Sequence, residues 1–189
     1  MKQKISPHFL LLLILALFMT ACAVNPGNTD SGGNGNSAGN KASIILSLKP
    51  EKLAVGETII VNVQVKNAPA IYGSDVRLVF DPKILEVIDA DKNQAGIQFI
   101  PGDFLDPKKS FIVQNNINNQ TGTIDYALSL LNPAPPVSGK GELFHVTFRA
   151  KAQGNTTISI SEGMFGTQSG ETINPDLSSA EIGISKKNK

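Results

Sequence analysis

The chain has 189 residues, of which 41% are hydrophobic, and a formal net charge of +1. This near-neutral balance argues against a nucleic-acid partner, because phosphate binding requires a clustered basic surface. The single cysteine, Cys22, excludes an internal disulfide, so the fold depends on its hydrophobic core. Without its leader the chain would keep roughly 150 to 170 residues, which predicts one folded domain with short appendages.

Residues 1–21 have the pattern of a bacterial signal peptide. Lys2 and Lys4 precede the apolar run Phe9–Phe18, which has about half the roughly 20 residues that a membrane-spanning helix needs. The following Met19–Cys22 segment (MTAC) resembles the lipobox of bacterial lipoproteins, in which cleavage precedes a cysteine that carries lipid. We therefore expect Cys22 to be lipidated and the domain to be exported and anchored to the cell membrane or the outer membrane. An ordinary signal peptide that leaves a free thiol is the alternative.

The next boundaries follow from composition. Residues 22–40 are predicted to be the lipidated cysteine and a flexible tether, because residues 23–40 are mostly Gly, Asn and Ser. Residues 41–185 are predicted to be the folded domain. Residues 186–189 form a short basic tail that we expect to be a solvated end.

From Ala42 onward the sequence is β-prone almost throughout. The segment from Ile71 to Ala90 shows the pattern best: apolar Val76, Leu78 and Phe80 alternate with outward residues, and a second strand follows the Asp81-Pro82 corner. About nine such strands recur at sandwich spacing, which predicts an all-β, nine-stranded jelly-roll β-sandwich. The other predicted strands are Ser43–Leu48, Thr58–Lys66, Ile97–Leu105, Phe111–Asn116, Thr123–Leu130, Glu142–Ala150, Thr156–Ser161 and Ala180–Ile184.

The same alternation predicts which side chains point away from the core. Three strands supply a mixture of small, apolar and hydrogen-bonding groups, which is typical of a partner-binding sheet face. An ordinary solvated face would also be mixed, so that alternative stays open. The predicted face consists of Asp75, Arg77, Val79, Asp125, Ala127, Ser129, Leu143, His145 and Thr147.

The order of these motifs resembles the cohesin modules of cellulosome scaffolds, from about Ser43 to Ile184. The most specific pieces are the corner D-P-x-x-L-E-V (Asp81 to Val87) and the strand G-x-L-F-x-V-T-F (Gly141 to Phe148). PGDFL at Pro101 and EGMF at Glu162 also fit.

This resemblance implies a non-catalytic jelly roll, related to carbohydrate-binding sandwiches, that binds a dockerin carried by another protein. It also implies a role in polysaccharide degradation. It implies that calcium belongs to the dockerin and that this chain needs no cofactor. It places the dockerin on the sheet face that contains the Asp75 strand, its neighbours and the late strand before the C-terminal pair. Asp75 matches an aspartate that family members use to bind dockerin, whereas Gly73 stands where some members have asparagine.

The residues give little support for catalysis, metal binding or sugar binding. His145 is the only histidine after the leader and has no acid beside it in sequence, so catalysis and metal binding are disfavoured. Asp89 to Asn93 imitates half of a calcium loop, but Gln94 replaces the required glycine. A carbohydrate-binding sandwich or a structural or adhesion module of the envelope remains as an alternative. Sugar platforms usually need exposed aromatics, however, and the chain lacks Trp.

Overall fold

A computed structural model of the chain describes residues 41–187. Two β-sheets pack face to face around one hydrophobic core, and this confirms the predicted all-β sandwich of the jelly-roll type. The described core consists of residues between Ala42 and Ile184, and both sheets that enclose it lie within residues 41–187. The predictions for the leader, Cys22 and the tether lie outside the described residues.

The strands are β1 (Ser43–Leu48), β2 (Lys52–Ala54), β3 (Thr58–Ile71), β4 (Gly73–Val79), β5 (Leu85–Val87), β6 (Ile100–Pro101), β7 (Ser110–Asn118), β8 (Thr123–Leu130), β9 (Val137–Ala150), β10 (Gly154–Gly166), β11 (Thr172–Ile173), β12 (Asp176–Leu177) and β13 (Ser179–Ser185). The first sheet has six strands in the order β12-β1-β3-β9-β5, with β6 also paired to β9. The second has seven strands in the order β2-β13-β10-β4-β8-β7, with β11 also paired to β10.

The period-two alternation of the sequence is what fills the core. Val61 and Val63 on β3 are fully buried, as are Phe144 and Val146 on β9, while the single residue between the members of each pair is only half-buried. Tyr126 on β8 joins this layer from the other sheet, and its ring packs edge-on against Phe144 at 5.1 Å between centroids. Both sheets therefore contribute aromatic rings to one continuous core.

The Asp81-Pro82 corner carries the chain from one sheet to the other. β4 lies in the seven-stranded sheet, and β5 lies in the six-stranded sheet beside β9. The backbone carbonyl of Asp81 accepts hydrogen bonds from Ile84 N at 3.1 Å and Leu85 N at 2.9 Å, which closes the turn. Gly122 lies against this corner with a φ of +73°, and a Cβ there would approach the Phe80 carbonyl to 2.1 Å. Only glycine fits that position without rearrangement.

The structure corrects several predicted strand bounds. Ile97–Leu105 is not a strand but irregular chain with a two-residue bridge, β6, because Pro101 has no N–H to donate to a longer ladder. A short 3₁₀ helix at Pro107–Lys109 follows it. β3 and β10 extend beyond their predicted ends, and the short strands β2, β6, β11 and β12 raise the total to thirteen in the described part of the chain.

Candidate partner-binding face

Four neighbouring strands of the seven-stranded sheet, β10, β4, β8 and β7, form a continuous outer face, here called the Asp75 face. Register pairs place Asp75 between Met164 on β10 and Ala127 on β8. They place Arg77 between Glu162 on β10 and Asp125 on β8. Directly opposed residues of an antiparallel pair share one side of the sheet, so these side chains are neighbours.

Arg77 is held in place by two carboxylates. Its Nε donates to Asp125 Oδ1 at 2.5 Å, and its Nη1 donates to Glu162 Oε1 at 2.9 Å. The hydrogen bond to Asp125, followed by the charges of Asp125 and Glu162, raises the pKa of Arg77 further above its ordinary value. The Asp125 side chain keeps only 10% of its surface exposed. Arg77 is therefore a fixed and compensated cation at the centre of the face.

Asp75 differs from these residues in having an exposed carboxylate without an ion-pair partner among residues 41–187. Its neighbour Met164 is 41% exposed and offers an apolar, adaptable surface. Its other neighbour, Ala127, has a short, buried side chain between Asp75 and Gln114 of β7. A partner therefore meets a free carboxylate beside an exposed thioether.

The structure agrees with the sequence on the orientation of six of the predicted residues. Asp75, Arg77 and Val79 on β4 share the outer side of the sheet with Asp125, Ala127 and Ser129 on β8. Asp125 and Ala127 are nevertheless buried, because side chains of β4 and β7 stand on both sides of them. These two residues support the face, while Asp75 lies at its surface.

The prediction that Leu143, His145 and Thr147 belong to the same face is wrong. All three lie on β9, which pairs with β3 in the six-stranded sheet, on the opposite side of the sandwich. Leu143 is also only 2% exposed, because the chain at Gly102 crosses it and donates a hydrogen bond to its carbonyl at 2.8 Å. Alternation shows that a residue points outward, but it does not show which sheet its strand joins.

His145 has a local partner that the sequence spacing does not reveal. Its Nδ1 lies 2.6 Å from Glu142 Oε1, and both side chains are partly exposed on the outer face of the six-stranded sheet. Consecutive residues Val63 and Gln64 of β3 pair with residues 144 and 142 of β9, so Leu143 is an extra residue, and this bulge in β9 brings residue 142 onto the same side as residue 145. The pair is an ordinary surface contact of that sheet.

Sequence reasoning missed Glu162, Met164, Phe111 and Val113 as parts of the Asp75 face. The predicted strand Thr156–Ser161 ends before Glu162 and Met164, and the predicted face does not include the outward side of the predicted strand Phe111–Asn116. The EGMF motif contained the signal, because Glu162 and Met164 alternate with Gly163 and Phe165; the bulge at Ser161 shifts this alternation by one residue relative to the start of β10.

The segment that imitates a calcium loop uses its carboxylates internally. Asp89 Oδ1 accepts from Asp91 N and Gln98 N, and Asp91 Oδ1 accepts from Asn93 N at 3.0 Å. The hydrogen bond from Asn93, with help from Gln94, lowers the pKa of Asp91. Within residues 41–187 no group of three or more His, Cys, Asp or Glu side chains is arranged to hold a metal ion.

The tyrosines do not form a sugar-binding platform. Tyr126 is 1% exposed in the core, and Tyr72 packs against the core from a half-buried position. Stacking on a sugar ring requires an accessible aromatic face. In the described part of the chain no helix has the length and hydropathy to cross a membrane.

The fold and this face define a β-sandwich binding module with an extended sheet surface. The family model described as "Cohesin domain" matches residues 46–184, and the chain belongs to the cohesin family. Cohesin domains are non-catalytic binding modules. No curated protein sequence matches the chain significantly.

Solved structures share the fold at low sequence identity. A type II cohesin domain from the cellulosome of Acetivibrio cellulolyticus superposes with a TM-score of 0.64 at 16% identity, covering 75% of this chain and 95% of its own. A non-cellulosomal cohesin from the archaeon Archaeoglobus fulgidus gives 0.60 at 20% identity, covering 77% and 92%. A chain of a type I cohesin–dockerin complex from Clostridium thermocellum gives 0.59 at 20% identity, covering 77% and 100%.

Proposed function

We propose that this cohesin domain binds a dockerin-bearing protein through the Asp75 face. The observation that carries the proposal is the geometry around Asp75: an exposed carboxylate on the outer face of a sheet, next to Met164 and to a central Arg77 whose charge its own neighbours compensate. Family membership supports this reading, as does the cohesin–dockerin complex among the similar structures. The domain acts by binding and performs no catalysis.

The charges of the face define the chemistry of the partner. Asp75, Asp125 and Glu162 are three carboxylates, and Arg77 is the cation among them. Arg77 offsets one of the three negative charges and bonds Asp125 and Glu162, so Asp75 is the carboxylate of the face that has no ion-pair partner among residues 41–187. The dockerin should present a Lys, Arg or hydroxyl donor to Asp75 and an apolar side chain to Met164.

The N-terminal sequence extends the proposal to location. The MTAC segment and the tether after it would make Cys22 a lipid anchor that holds the domain outside the cytoplasm at the cell membrane or outer membrane. A lipid-anchored cohesin would display its dockerin partner at the envelope. A partner that carries a glycoside hydrolase would place the pair in polysaccharide degradation.

Binding is tested with the fragment Ala38–Lys189 and calcium-loaded dockerins encoded in the same genome, measured by calorimetry. We expect one dockerin to bind at micromolar concentration or better, with binding lost in EDTA. The double variant Asp75→Ala, Arg77→Ala should abolish binding, whereas Thr147→Ala on the opposite sheet should not change it. The proposal fails if no dockerin binds, or if both variants weaken binding equally.

The anchor is tested separately with the full chain expressed in a bacterium. We expect it to partition with membranes and incorporate labelled fatty acid, and Cys22→Ser to lose the label. Retention of the label in Cys22→Ser would disprove the anchor but leave dockerin binding unaffected. Pull-down of the Ala38–Lys189 fragment on insoluble polysaccharides should recover no protein. Strong recovery would favour the carbohydrate-binding alternative.

A further inference from the structure

One corner of the described fold concentrates exposed apolar side chains. Phe111, Ile112 and Val113 are consecutive on β7 and are 62%, 38% and 64% exposed. Leu131, 53% exposed, lies beside them, because its N–H donates to the Lys109 carbonyl at 2.8 Å. Single exposed apolar residues are ordinary on a protein surface, but a contiguous group indicates a contact surface.

The same corner contains an unpaired strand edge. Among residues 41–187, β7 ends the seven-stranded sheet and pairs only with β8, so no described strand bonds the backbone donors and acceptors of its other edge. Natural edge strands are usually protected by charged residues, by proline or by bulges; β7 (SFIVQNNIN) contains no charged residue or proline, and its one bulge is at Val113. Such an edge accepts another strand by backbone hydrogen bonding.

We propose that β7 pairs with β7 of a second copy of this chain, antiparallel and around a two-fold axis near Ile112. In that register Ile112 opposes its own counterpart, and Phe111 opposes Val113 of the second copy, so exposed apolar groups cover each other. Lys109 then lies opposite Asn115 of the second copy and not opposite another lysine. An uncharged strand pairs with itself without repulsion, which favours a second copy over a charged partner.

The interface is short. The register against β8 shifts between Ile112 and Gln114, so Val113 is an extra residue that increases the local twist. Straight pairing is therefore limited to the residues around Ile112. A small contact of this kind belongs to the transient class, with an expected dissociation constant on the order of 10 to 100 micromolar.

The two-fold pairing has a consequence for the Asp75 face. An antiparallel pair related by a two-fold axis keeps both outer faces on the same side of the joined sheet. Two Asp75 faces would then lie side by side. This arrangement does not depend on the nature of the partner that binds them.

Sedimentation of the Ala38–Lys189 fragment tests the pairing at up to about 500 micromolar, well above the expected dissociation constant. We expect a monomer–dimer equilibrium that Val113→Lys weakens at least about tenfold. The matched control is Ile60→Lys, which alters an exposed isoleucine on the other sheet and should leave the equilibrium unchanged. A wild-type monomer at every concentration, or equal effects of the two variants, would overturn the proposal.

Cysteine cross-linking tests the register. The fragment lacks Cys22 and therefore all native cysteine. Ile112→Cys lies on the proposed axis and should form a disulfide-linked dimer under mild oxidation, whereas Ile60→Cys should not. Equal rates of cross-linking for the two variants would contradict the register. Circular dichroism spectra like those of the parent fragment confirm that each variant is folded.

Discussion

The two outer faces of this sandwich have similar compositions and different organisation. On the Asp75 face, Arg77 joins two strands through Asp125 and Glu162, and Asp125 is nearly buried. On the opposite face, His145 contacts Glu142 three residues away on its own strand, and both side chains are partly solvated. A network that spans strands fixes a surface in one conformation, whereas a local pair on one strand leaves the face as a whole unconstrained.

This comparison shows what a binding face needs besides mixed residues. Asp125 and Glu162 on the two neighbouring strands hold Arg77, and Asp75 is the one charged group of this face that has no ion-pair partner among residues 41–187. Preorganised groups bind a partner with less loss of side-chain entropy. The opposite face has one cross-strand ion pair, between Arg149 Nε and Glu86 Oε1 at 2.6 Å, but among the described residues it has no cation that bonds carboxylates on two neighbouring strands.

The largest effect should come from reversing the free charge. Asp75→Arg places a cation where the partner is expected to present a donor, and dockerin affinity should fall by about 100-fold or more. The matched variant Thr147→Arg on the opposite face should leave affinity within about twofold. Calorimetry with one calcium-loaded dockerin measures both. Equal losses would show that the two faces do not differ in function.

The next effect concerns stability. Asp125→Ala removes a nearly buried carboxylate that accepts from Arg77, and the free energy of unfolding should fall by about 1 to 2 kcal/mol. Glu142→Ala on the opposite face breaks a partly solvated pair and should cost less than about 1 kcal/mol. Urea denaturation of the Ala38–Lys189 fragment compares them. A larger loss for Glu142→Ala would reverse the comparison.

A third prediction concerns Tyr126, in the hydrophobic core between the two sheets. Tyr126 packs its ring in the core, but its hydroxyl has no hydrogen-bond partner in the described structure, and burial raises its pKa from 10.0 to about 12. Tyr126→Phe should therefore leave the free energy of unfolding unchanged or raise it by up to about 1 kcal/mol.

The pH dependence of stability follows from the same burial. Above pH 10 the unfolded chain ionises this tyrosine while the folded chain keeps it neutral, so stability falls between pH 10 and about 12. Tyr126→Phe should reduce that fall. Melting temperatures measured across this range test it, and an identical fall in both proteins would contradict the assignment.

The smallest effect should be at the turn that imitates a calcium loop. Because hydrogen bonds lower the pKa of Asp91, its stabilising contribution is present above pH 3.8 and is lost as pH falls through the lowered value. Asp91→Ala should slightly lower the melting temperature at neutral pH and diminish the acid dependence. A marked rise in melting temperature on adding calcium to the fragment would instead identify this turn as a cation site.

The sequence alone determined the class of fold and the orientation of most strands. Val76, Leu78 and Phe144 are buried as their alternation predicts, because the side-chain period of a strand is a local property of the chain. The Asp81-Pro82 corner was readable for the same reason, since proline constrains its own backbone and that of its neighbour. The cohesin resemblance is confirmed by the family match.

Only the tertiary structure decided which outward residues share a face. Asp75 and Asp125 are neighbours because β4 pairs with β8, whereas His145 lies on the far side because β9 pairs with β3. These pairings join segments dozens of residues apart, and period-two alternation is identical whichever sheet a strand enters. The Arg77 network and the open edge of β7 arise from strand order, which no local pattern encodes.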